Sequence, residues 1–195
     1  MDIGTATGTI GRICKNYGFK FSGIEPNSKW AQIAKPYYEK IHIGTIENCD
    51  DNIIRGYKAI IFGDILEHVP NPDAVLQRVV RLQENGALFA ISVPNIANIW
   101  IRVNLLLGRF DYTDRGILDR THLRFFTKKT AISLVTKSGL EIKKITVTPI
   151  PLELVSNFFI KSPVGRFIHW ILFLAAKIRP TLFGYQFVII ARKEQ

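Results

Sequence analysis

The sequence is poor in cysteine and has no apolar run long enough to cross a bilayer. Its two cysteines, Cys14 and Cys49, form no C-x-x-C pair, so they predict neither a zinc site nor a disulfide-stapled secreted fold, and no metal is expected. No basic stretch followed by an apolar run opens the chain, so we expect no signal peptide and a cytoplasmic location. The absence of repeats and Ser/Gly linkers indicates one domain over residues 1–195.

Acidic residues are scarce in the second half of the chain. Up to Ile96, ten Lys and Arg residues balance ten Asp and Glu residues, whereas from Ala97 onward sixteen basic residues face six acidic ones. The whole formal charge of +10 therefore lies after Ile96. This asymmetry indicates an anionic partner such as nucleic acid, a phosphorylated substrate or a lipid surface, the alternative being a basic face with no partner.

The apolar pattern predicts strands that alternate with helices, and hence a doubly wound α/β fold with a mostly parallel sheet. Helices are expected after the first glycine loop to Asn16 and in three further segments: 27–39, 71–86 and 127–139. Strands are expected at 19–25, 41–44, 59–62, 87–93, 140–148 and 185–191. Because ligands of such sheets bind at the carboxyl ends of the strands, we expect one crevice to collect Gly4 to Gly8, Glu25, Asp64 and Pro94-Asn95.

Small residues fill the first predicted turn from strand to helix, Asp2-Ile3-Gly4-Thr5-Ala6-Thr7-Gly8, where they let the backbone approach a ligand closely. Glu25 lies about 20 residues further on, at the end of the next strand, where a carboxylate can accept hydrogen bonds from both hydroxyls of a ribose. Asp2 would repel a diphosphate but suits a ligand with an ammonium group. Together these features predict an adenosine-type ligand.

These motifs resemble those of the class I S-adenosylmethionine-dependent methyltransferases with type 11, 12 and 23 domains. The first family motif, D-x-G-x-G-x-G, is matched at Asp2, Gly4 and Gly8, with Ala6 replacing the middle glycine. The resemblance extends over residues 2–148 and the last strand, and it implies a Rossmann-like methyltransferase with S-adenosylmethionine as cofactor. The residues that it assigns to the cofactor are Asp2, Gly4, Ala6, Gly8, Glu25, Pro26, Asp64, Ile65 and Asn95.

The resemblance has two departures. In the family a helix and a full first strand precede the motif that begins at Asp2, and an acid near Thr45 contacts the adenine, whereas here Glu47 is the nearest acid. The resemblance therefore implies an N-terminally truncated methyltransferase. A degenerate, non-catalytic binding module of the same fold is the alternative.

Residues 97–126 follow the predicted cofactor-binding half, 1–96, and mix arginines with aromatic residues, which predicts a substrate lid. Within it, Asp119 is expected to orient His122 as a general base, with Arg120 in the same cluster and His68 nearby. The alternatives are a salt-bridged lid anchor and, for Glu67-His68, an ordinary surface pair. RNA is the second choice of substrate because arginines accompany aromatics, but the acids interleaved in the lid argue against nucleic acid.

Residues 150–184 form a mostly apolar insertion before the last strand, and a helix is expected there. Its apolar stretch, interrupted by His169, has about ten residues, against the about 20 that cross a bilayer. Basic ends with Trp170 and Phe173 between them predict a helix at an anionic membrane surface or over a lipid-like substrate, the alternative being packing or a homodimer contact. We therefore expect peripheral attachment at the inner membrane face. The resemblance implies O-methylation of a small-molecule, glycan or lipid-linked acceptor.

Overall fold

The computed structural model describes residues 1–151 and 162–194, and its centre is a seven-stranded sheet in the order β3-β2-β1-β4-β5-β7-β6. The five strands from β3 to β5 run parallel, and β7 is antiparallel to both β5 and β6. The predicted doubly wound α/β fold with a mostly parallel sheet is therefore confirmed. The strands are β1 (Asp2–Ile3), β2 (Ser22–Glu25), β3 (Lys40–Ile43), β4 (Ala59–Gly63), β5 (Leu88–Pro94), β6 (Leu140–Thr148) and β7 (Gln186–Lys193).

The helices begin where the sequence offers polar caps. Asn27, Asn71 and Thr127 accept hydrogen bonds from backbone amides in the first turns of the helices that follow them. The helices are α1 (Thr9–Asn16), α2 (Ser28–Ala34), α3 (Asp51–Ile54), α4 (Pro72–Arg81), α5 (Ile99–Leu106), α6 (Lys128–Lys137), α7 (Pro163–Ile178) and α8 (Pro180–Phe183).

The helix that was expected to run from Asn27 to Glu39 is shorter in the structure. α2 ends at Ala34, and a 3-10 turn follows at Lys35–Tyr37. Pro36 has no amide hydrogen to donate to the carbonyl four residues earlier, which explains the early end.

One apolar core joins the central strands to α4 and α6. The side chains of β4 that alternate inward, Ile60 and Phe62, are fully buried, and so is Phe89 on β5. Leu76 and Val79 of α4 and Leu134 and Val135 of α6 belong to the same cluster. This packing holds the carboxyl ends of β1, β2, β4 and β5 at one edge, where the sequence predicts the ligand crevice.

The predicted lid contains a helix that the sequence pattern did not reveal. We expected regular structure to stop after Asn95, but α5 spans Ile99–Leu106 and is capped by the side chain of Asn98. Nearly every position of α5 is apolar, so no helical period separates a polar face from an apolar one. The rest of the lid packs on the turn after β4, where Leu123 and Arg124 donate their amides to the carbonyl of Glu67.

The predicted apolar insertion, 150–184, is represented by α7 and α8. Its part at 152–161, including the aromatic stretch Asn157–Lys161, lies outside the described residues. Several large apolar side chains of α7 point to solvent, with Val164 61%, Phe167 59% and Trp170 55% exposed. Among the residues that the structure describes, no helix combines the length and the apolar character that crossing a membrane requires.

Candidate functional site

The loop from Gly4 to Gly8 follows β1 and has left-handed backbone at three positions. The φ angles are 79° at Gly4, 45° at Ala6 and 88° at Gly8. A Cβ at Gly4 would lie 2.1 Å from Cδ1 of Ile65, and one at Gly8 would lie 2.9 Å from Cα of Ala34. Glycine is therefore required at both positions. Left-handed backbone at Ala6 costs about 1–2 kcal/mol, which its surroundings must offset.

Glu25 fixes that loop. Its carboxylate is 3% exposed at the end of β2, and Oε2 accepts a hydrogen bond of 2.8 Å from the amide of Ala6. Oε1 accepts one of 2.9 Å from the amide of Asn27, beyond the exposed Pro26. Each carboxylate oxygen has two acceptor positions, so both oxygens retain capacity for a ligand hydroxyl. The structure thus brings Glu25 to the glycine loop, as the sequence predicts.

Asp2 lies buried beside a tyrosine that sequence reasoning missed. Its carboxylate is 1% exposed, and Oδ2 accepts a hydrogen bond from the hydroxyl of Tyr38, which itself accepts from the amide of Gly11 at 3.0 Å. Oδ1 is buried without a hydrogen-bond partner among the described residues. Burial raises the pKa of Asp2 to about 6. Asp2 therefore fixes the relative positions of the first loop and the 3-10 turn.

The carboxyl end of β4 lies between the loop and a cavity on its other side. Asp64 has a φ of 54°, and its carboxylate accepts hydrogen bonds from Oγ of Ser92 at 2.8 Å and from Nε2 of Gln186 at 2.6 Å. Burial raises the pKa of Asp64. The next residue, Ile65, packs against Gly4. Asp64 thereby ties β4 to β5 and β7.

A cavity of about 580 Å³ opens beside Asp64. It brings together the predicted residues Asp64, His68 and His122. Three further polar side chains also line it, and these are Glu67, Gln186 and His169, the residue that interrupts the apolar stretch of the insertion. Glu67 had one sequence signal, its place next to His68, whereas long-range packing alone brings in His169 and Gln186. The polar side chains in the wall are Asp64, Glu67, His68, His122, His169 and Gln186.

Glu67 is the least satisfied polar group in this wall. Its side chain is 1% exposed, and neither carboxylate oxygen has a hydrogen-bond partner among the described residues. The nearest nitrogen of a basic side chain is Nε2 of His122, 4.0 Å from Oε1. Burial raises the pKa of Glu67 to about 8. A buried carboxylate without a partner is costly, so Glu67 points to a ligand or a proton at this position.

A backbone carbonyl, rather than the expected carboxylate, orients His122. Nδ1 lies 3.0 Å from the carbonyl oxygen of Ile117, and the ring makes an edge contact with His68 at 4.7 Å between centroids. Because a carbonyl only accepts, Nδ1 carries the hydrogen and Nε2 has the lone pair. Burial lowers the pKa of His122, which favours this neutral form.

Asp119 and Arg120 therefore have other roles than those predicted. Oδ1 of Asp119 accepts hydrogen bonds from the amide and the hydroxyl of Thr121, at 2.8 and 2.6 Å, because a local turn over two residues forms more readily than a longer reach to His122. Arg120 pairs with Asp114 at 2.7 Å in solvent. Thr121 in turn faces Nδ1 of His68, so Asp119 acts on His68 through this residue.

Asn95 has structural partners rather than a place in the cavity wall. Its side chain is fully buried, and Nδ2 donates to the carbonyls of Thr181 at 3.1 Å and Gly184 at 2.9 Å. Oδ1 accepts from the amide of Ala97 at 3.0 Å. The residue expected to contact the cofactor thus joins the end of β5 to the connection between α8 and β7.

The chain matches a known family and several proteins of related structure. The family described as "Methyltransferase domain" matches residues 1–145. An uncharacterized protein of Methanocaldococcus jannaschii is 27% identical over 92% of this chain and 76% of its own length.

Two solved structures show the same fold at low sequence identity. A SAM-dependent methyltransferase from Archaeoglobus fulgidus superposes with a TM-score of 0.66 at 19% identity, over 98% of this chain and 84% of that one. Magnesium protoporphyrin IX methyltransferase from Synechocystis PCC 6803 with bound SAH gives a TM-score of 0.63 at 12% identity, over 99% and 73%.

Proposed function

Because the chain belongs to the methyltransferase-domain family and is a class I S-adenosylmethionine-dependent methyltransferase, we propose that it methylates an oxygen of an acceptor bound in the 580 Å³ cavity. The observation that carries this proposal is the cluster in the cavity wall of the buried Glu67 with His68 and His122, which are not fully buried. Such a cluster suits an acceptor that must lose a proton. The acceptor class that we propose is a small molecule, a glycan or a lipid-linked molecule.

The first loop and the end of β2 fit the cofactor. When bound, S-adenosylmethionine supplies a methyl group on a sulfonium, which leaves as a neutral thioether. Gly4, Ala6 and Gly8 would hold it through their backbone, and the oxygens of Glu25 have acceptor capacity for two ribose hydroxyls. Asp2, Pro26, Asp64 and Ile65 complete the set that we propose. Asn95 is left out because its amide is already used.

The acceptor side must align an oxygen with the methyl group and remove its proton. As the new carbon–oxygen bond forms and the carbon–sulfur bond breaks, the sulfur keeps the electron pair and the hydroxyl proton leaves the acceptor. We place the uptake of that proton at Nε2 of His122, which has a lone pair and lies beside the unpartnered carboxyl group of Glu67. His68 completes the cluster, with Asp119 positioning it through Thr121.

The test uses purified protein with methyl-labelled S-adenosylmethionine and two acceptor sources, a lipid extract and a water-soluble extract. We expect calorimetry to show cofactor binding and label to enter one extract in a bond with the hydrolytic stability of an ether or ester. His122→Ala should lower turnover by roughly 10²–10⁴ with cofactor affinity retained, whereas His42→Ala on β3 is the matched control. Label in an amine product, or no cofactor binding, would contradict the proposal.

A second proposal concerns the source of the acceptor: α7 lies at an anionic membrane surface. His169 of α7 lines the cavity, while Phe167 and Trp170 of the same helix are 59% and 55% exposed. Arg166 and Lys177 are exposed near the two ends of the helix. One helix thus connects an apolar, basic outer face to the acceptor cavity, which supports a lipid-linked acceptor. A homodimer contact through α7 is the competing outcome.

A further inference from the structure

We propose that Glu67, His68 and His122 bind a divalent transition-metal ion in the wall of the acceptor cavity. One potential ligand atom from each of these side chains lies within 4.8 Å of the others. Ligand atoms on one such ion are about 3 to 4 Å apart, since each bond is about 2.1 Å long. The cluster therefore needs only small side-chain movements to close on an ion.

The carboxylate of Glu67 is the first independent observation that points to a cation. It is 1% exposed, and both of its oxygens lack a hydrogen-bond partner among the described residues. The backbone carbonyl of Glu67 is well bonded, since Leu123 and Arg124 both donate to it, so the unpaired oxygens of this residue belong to its side chain alone. A positive ion between the carboxylate and the imidazoles would satisfy the group that the protein leaves unpaired.

The orientation of the two imidazoles is the second observation. Nδ1 of His122 lies 3.0 Å from the carbonyl oxygen of Ile117, and Nδ1 of His68 lies 3.2 Å from the carbonyl oxygen of Thr121. Both nitrogens must donate, so each ring has its lone pair on Nε2. A histidine that binds a metal through one nitrogen commonly donates its other N–H to a backbone carbonyl or a carboxylate in this way.

Asp119 and Thr121 form further hydrogen bonds that hold the ring of His68 in place. The hydroxyl of Thr121 donates to Asp119 at 2.6 Å, and its oxygen lies 3.1 Å from Nδ1 of His68, so it accepts from the imidazole. A chain of hydrogen bonds thus runs from the Asp119 carboxylate to the His68 ring. This arrangement makes Asp119 and Thr121 positioning residues for a metal ligand, His68.

The donor set indicates the class of ion and its use. Two imidazoles and one carboxylate suit Zn²⁺, Fe²⁺ or Mn²⁺ better than Mg²⁺ or Ca²⁺, which prefer oxygen ligands. Three protein ligands leave at least one position open toward the cavity. An acceptor hydroxyl bound there would lose its proton more readily, because the positive ion stabilises the alkoxide, and the proton would pass to solvent. This role rests on the proposed methyl transfer, and His122 would then act through the ion.

The test is metal binding by untagged protein that has first been treated with EDTA. We expect one Co²⁺ per chain with a visible absorption band, displacement by Zn²⁺, and no displacement by equimolar Mg²⁺. Glu67→Gln, His68→Asn and His122→Asn should each weaken Co²⁺ binding about tenfold or more. Among the four histidines, His42 on β3 provides the matched control, and His42→Asn should bind as the parent does. Circular dichroism identifies any variant that fails to fold. The Co²⁺ affinities of the variants that do fold then decide whether the cluster binds the metal.

The supporting residues provide a finer readout. Thr121→Val should weaken Co²⁺ binding and shift its absorption band, and Thr121→Ser, which keeps the hydroxyl, should restore both. A parent protein that takes up no Co²⁺, or cluster variants that bind as well as His42→Asn, would overturn the metal site. Cofactor binding and methyl transfer that persist in EDTA would overturn it while leaving the proposed function intact. Co²⁺ binding without S-adenosylmethionine binding would support the metal site and overturn the proposed methyl transfer.

Discussion

Glu25 has two tasks in this structure. Its oxygens accept the amides of Ala6 and Asn27, and so hold a non-glycine residue in left-handed backbone on one side and the start of α2 on the other. The same oxygens are the proposed acceptors for the ribose hydroxyls. A residue that both shapes a loop and contacts the ligand of that loop couples cofactor affinity to stability.

Glu25→Ala should therefore weaken S-adenosylmethionine binding about tenfold or more, a loss of about 1–3 kcal/mol, since two ligand hydroxyls and the amides of Ala6 and Asn27 lose an acceptor. Isothermal calorimetry measures the affinity, and Glu39→Ala, an exposed acid nearby, is the control. The thermal midpoint of Glu25→Ala should fall as well. A dissociation constant equal to that of the parent protein would remove Glu25 from the cofactor site.

The stability of the protein should depend on the ionisation of Asp2. Because burial raises the pKa of Asp2 from 3.8 to about 6, the folded state holds a proton that the unfolded state releases between these values. Stability should therefore fall as pH rises from about 4 to 6, by about 3 kcal/mol in total for this group. Urea unfolding across this range, compared between the parent and Asp2→Asn, isolates the contribution.

Tyr38, which donates a hydrogen bond to Asp2, provides a test of the predicted direction of this pH dependence. The hydrogen bond from Tyr38 lowers the pKa of Asp2, so Tyr38→Phe should raise that pKa further and extend the loss of stability to higher pH. An Asp2→Asn protein with the same pH dependence as the parent would contradict this account.

At the scale of elements, local signals were sufficient for most of the fold. The predicted strand at 140–148 has the observed bounds of β6, and the capping residues Asn27, Asn71 and Thr127 lie where the sequence places them. α3 and α5 were missed because one has a single turn and the other is apolar on all sides. Helix-capping residues and the spacing of apolar residues act within a single helix or strand, so the local sequence is enough to predict most helices and strands.

The site was only half predictable, for the same reason. Loop and acid spacing gave the contact between Glu25 and the glycine loop. Nearness in the chain suggested that Asp119 orients His122, but Glu67, from a different part of the chain, is the carboxylate that lies beside its ring. Tertiary packing decides which side chains of separate elements come into contact, and no local sequence pattern predicts these contacts.

Asn95→Ala tests how β5 is tied to the connection before β7. The variant removes one donor from each of the carbonyls of Thr181 and Gly184, of which the Gly184 carbonyl keeps its hydrogen bond from Asn98, and we expect a loss of about 1–3 kcal/mol in the free energy of unfolding. Urea denaturation measures this loss, and Asn85→Ala, an exposed asparagine after α4, is the control. The folded variant should retain its cofactor affinity. Unchanged stability with weakened cofactor binding would return Asn95 to the cofactor site.

For the whole molecule, the main electrostatic feature is that its positive excess lies after Ile96, where α5 and α7 also expose apolar side chains such as Leu106 at 86% and Trp170 at 55%. Apolar burial and attraction to anionic headgroups then act on the same half. Each basic residue near such a surface contributes on the order of 1 kcal/mol, and salt screens this attraction.

The protein should therefore sediment with vesicles that contain an anionic phospholipid more than with phosphatidylcholine vesicles, and 0.5 M salt should weaken the binding. Trp170→Glu should weaken it further with cofactor affinity retained, whereas Trp30→Glu, 48% exposed on α2 in the charge-balanced half, should not. A folded protein that ignores both vesicles and elutes as a dimer that Trp170→Glu dissociates would identify α7 as a subunit contact.

The place of β7 in the sheet has a consequence for how the protein is made. β7 follows β6 in the chain, yet it lies between β5 and β6 and pairs with both. During synthesis, β6 and α6 emerge from the ribosome before the strand that attaches them to the sheet exists. Gln186, the first residue of β7, lines the cavity and bonds Asp64. A nascent chain thus has its loop from Gly4 to Gly8 early but completes the cavity beside Asp64 only when β7 is inserted, so this cavity is among the last features of the protein to form.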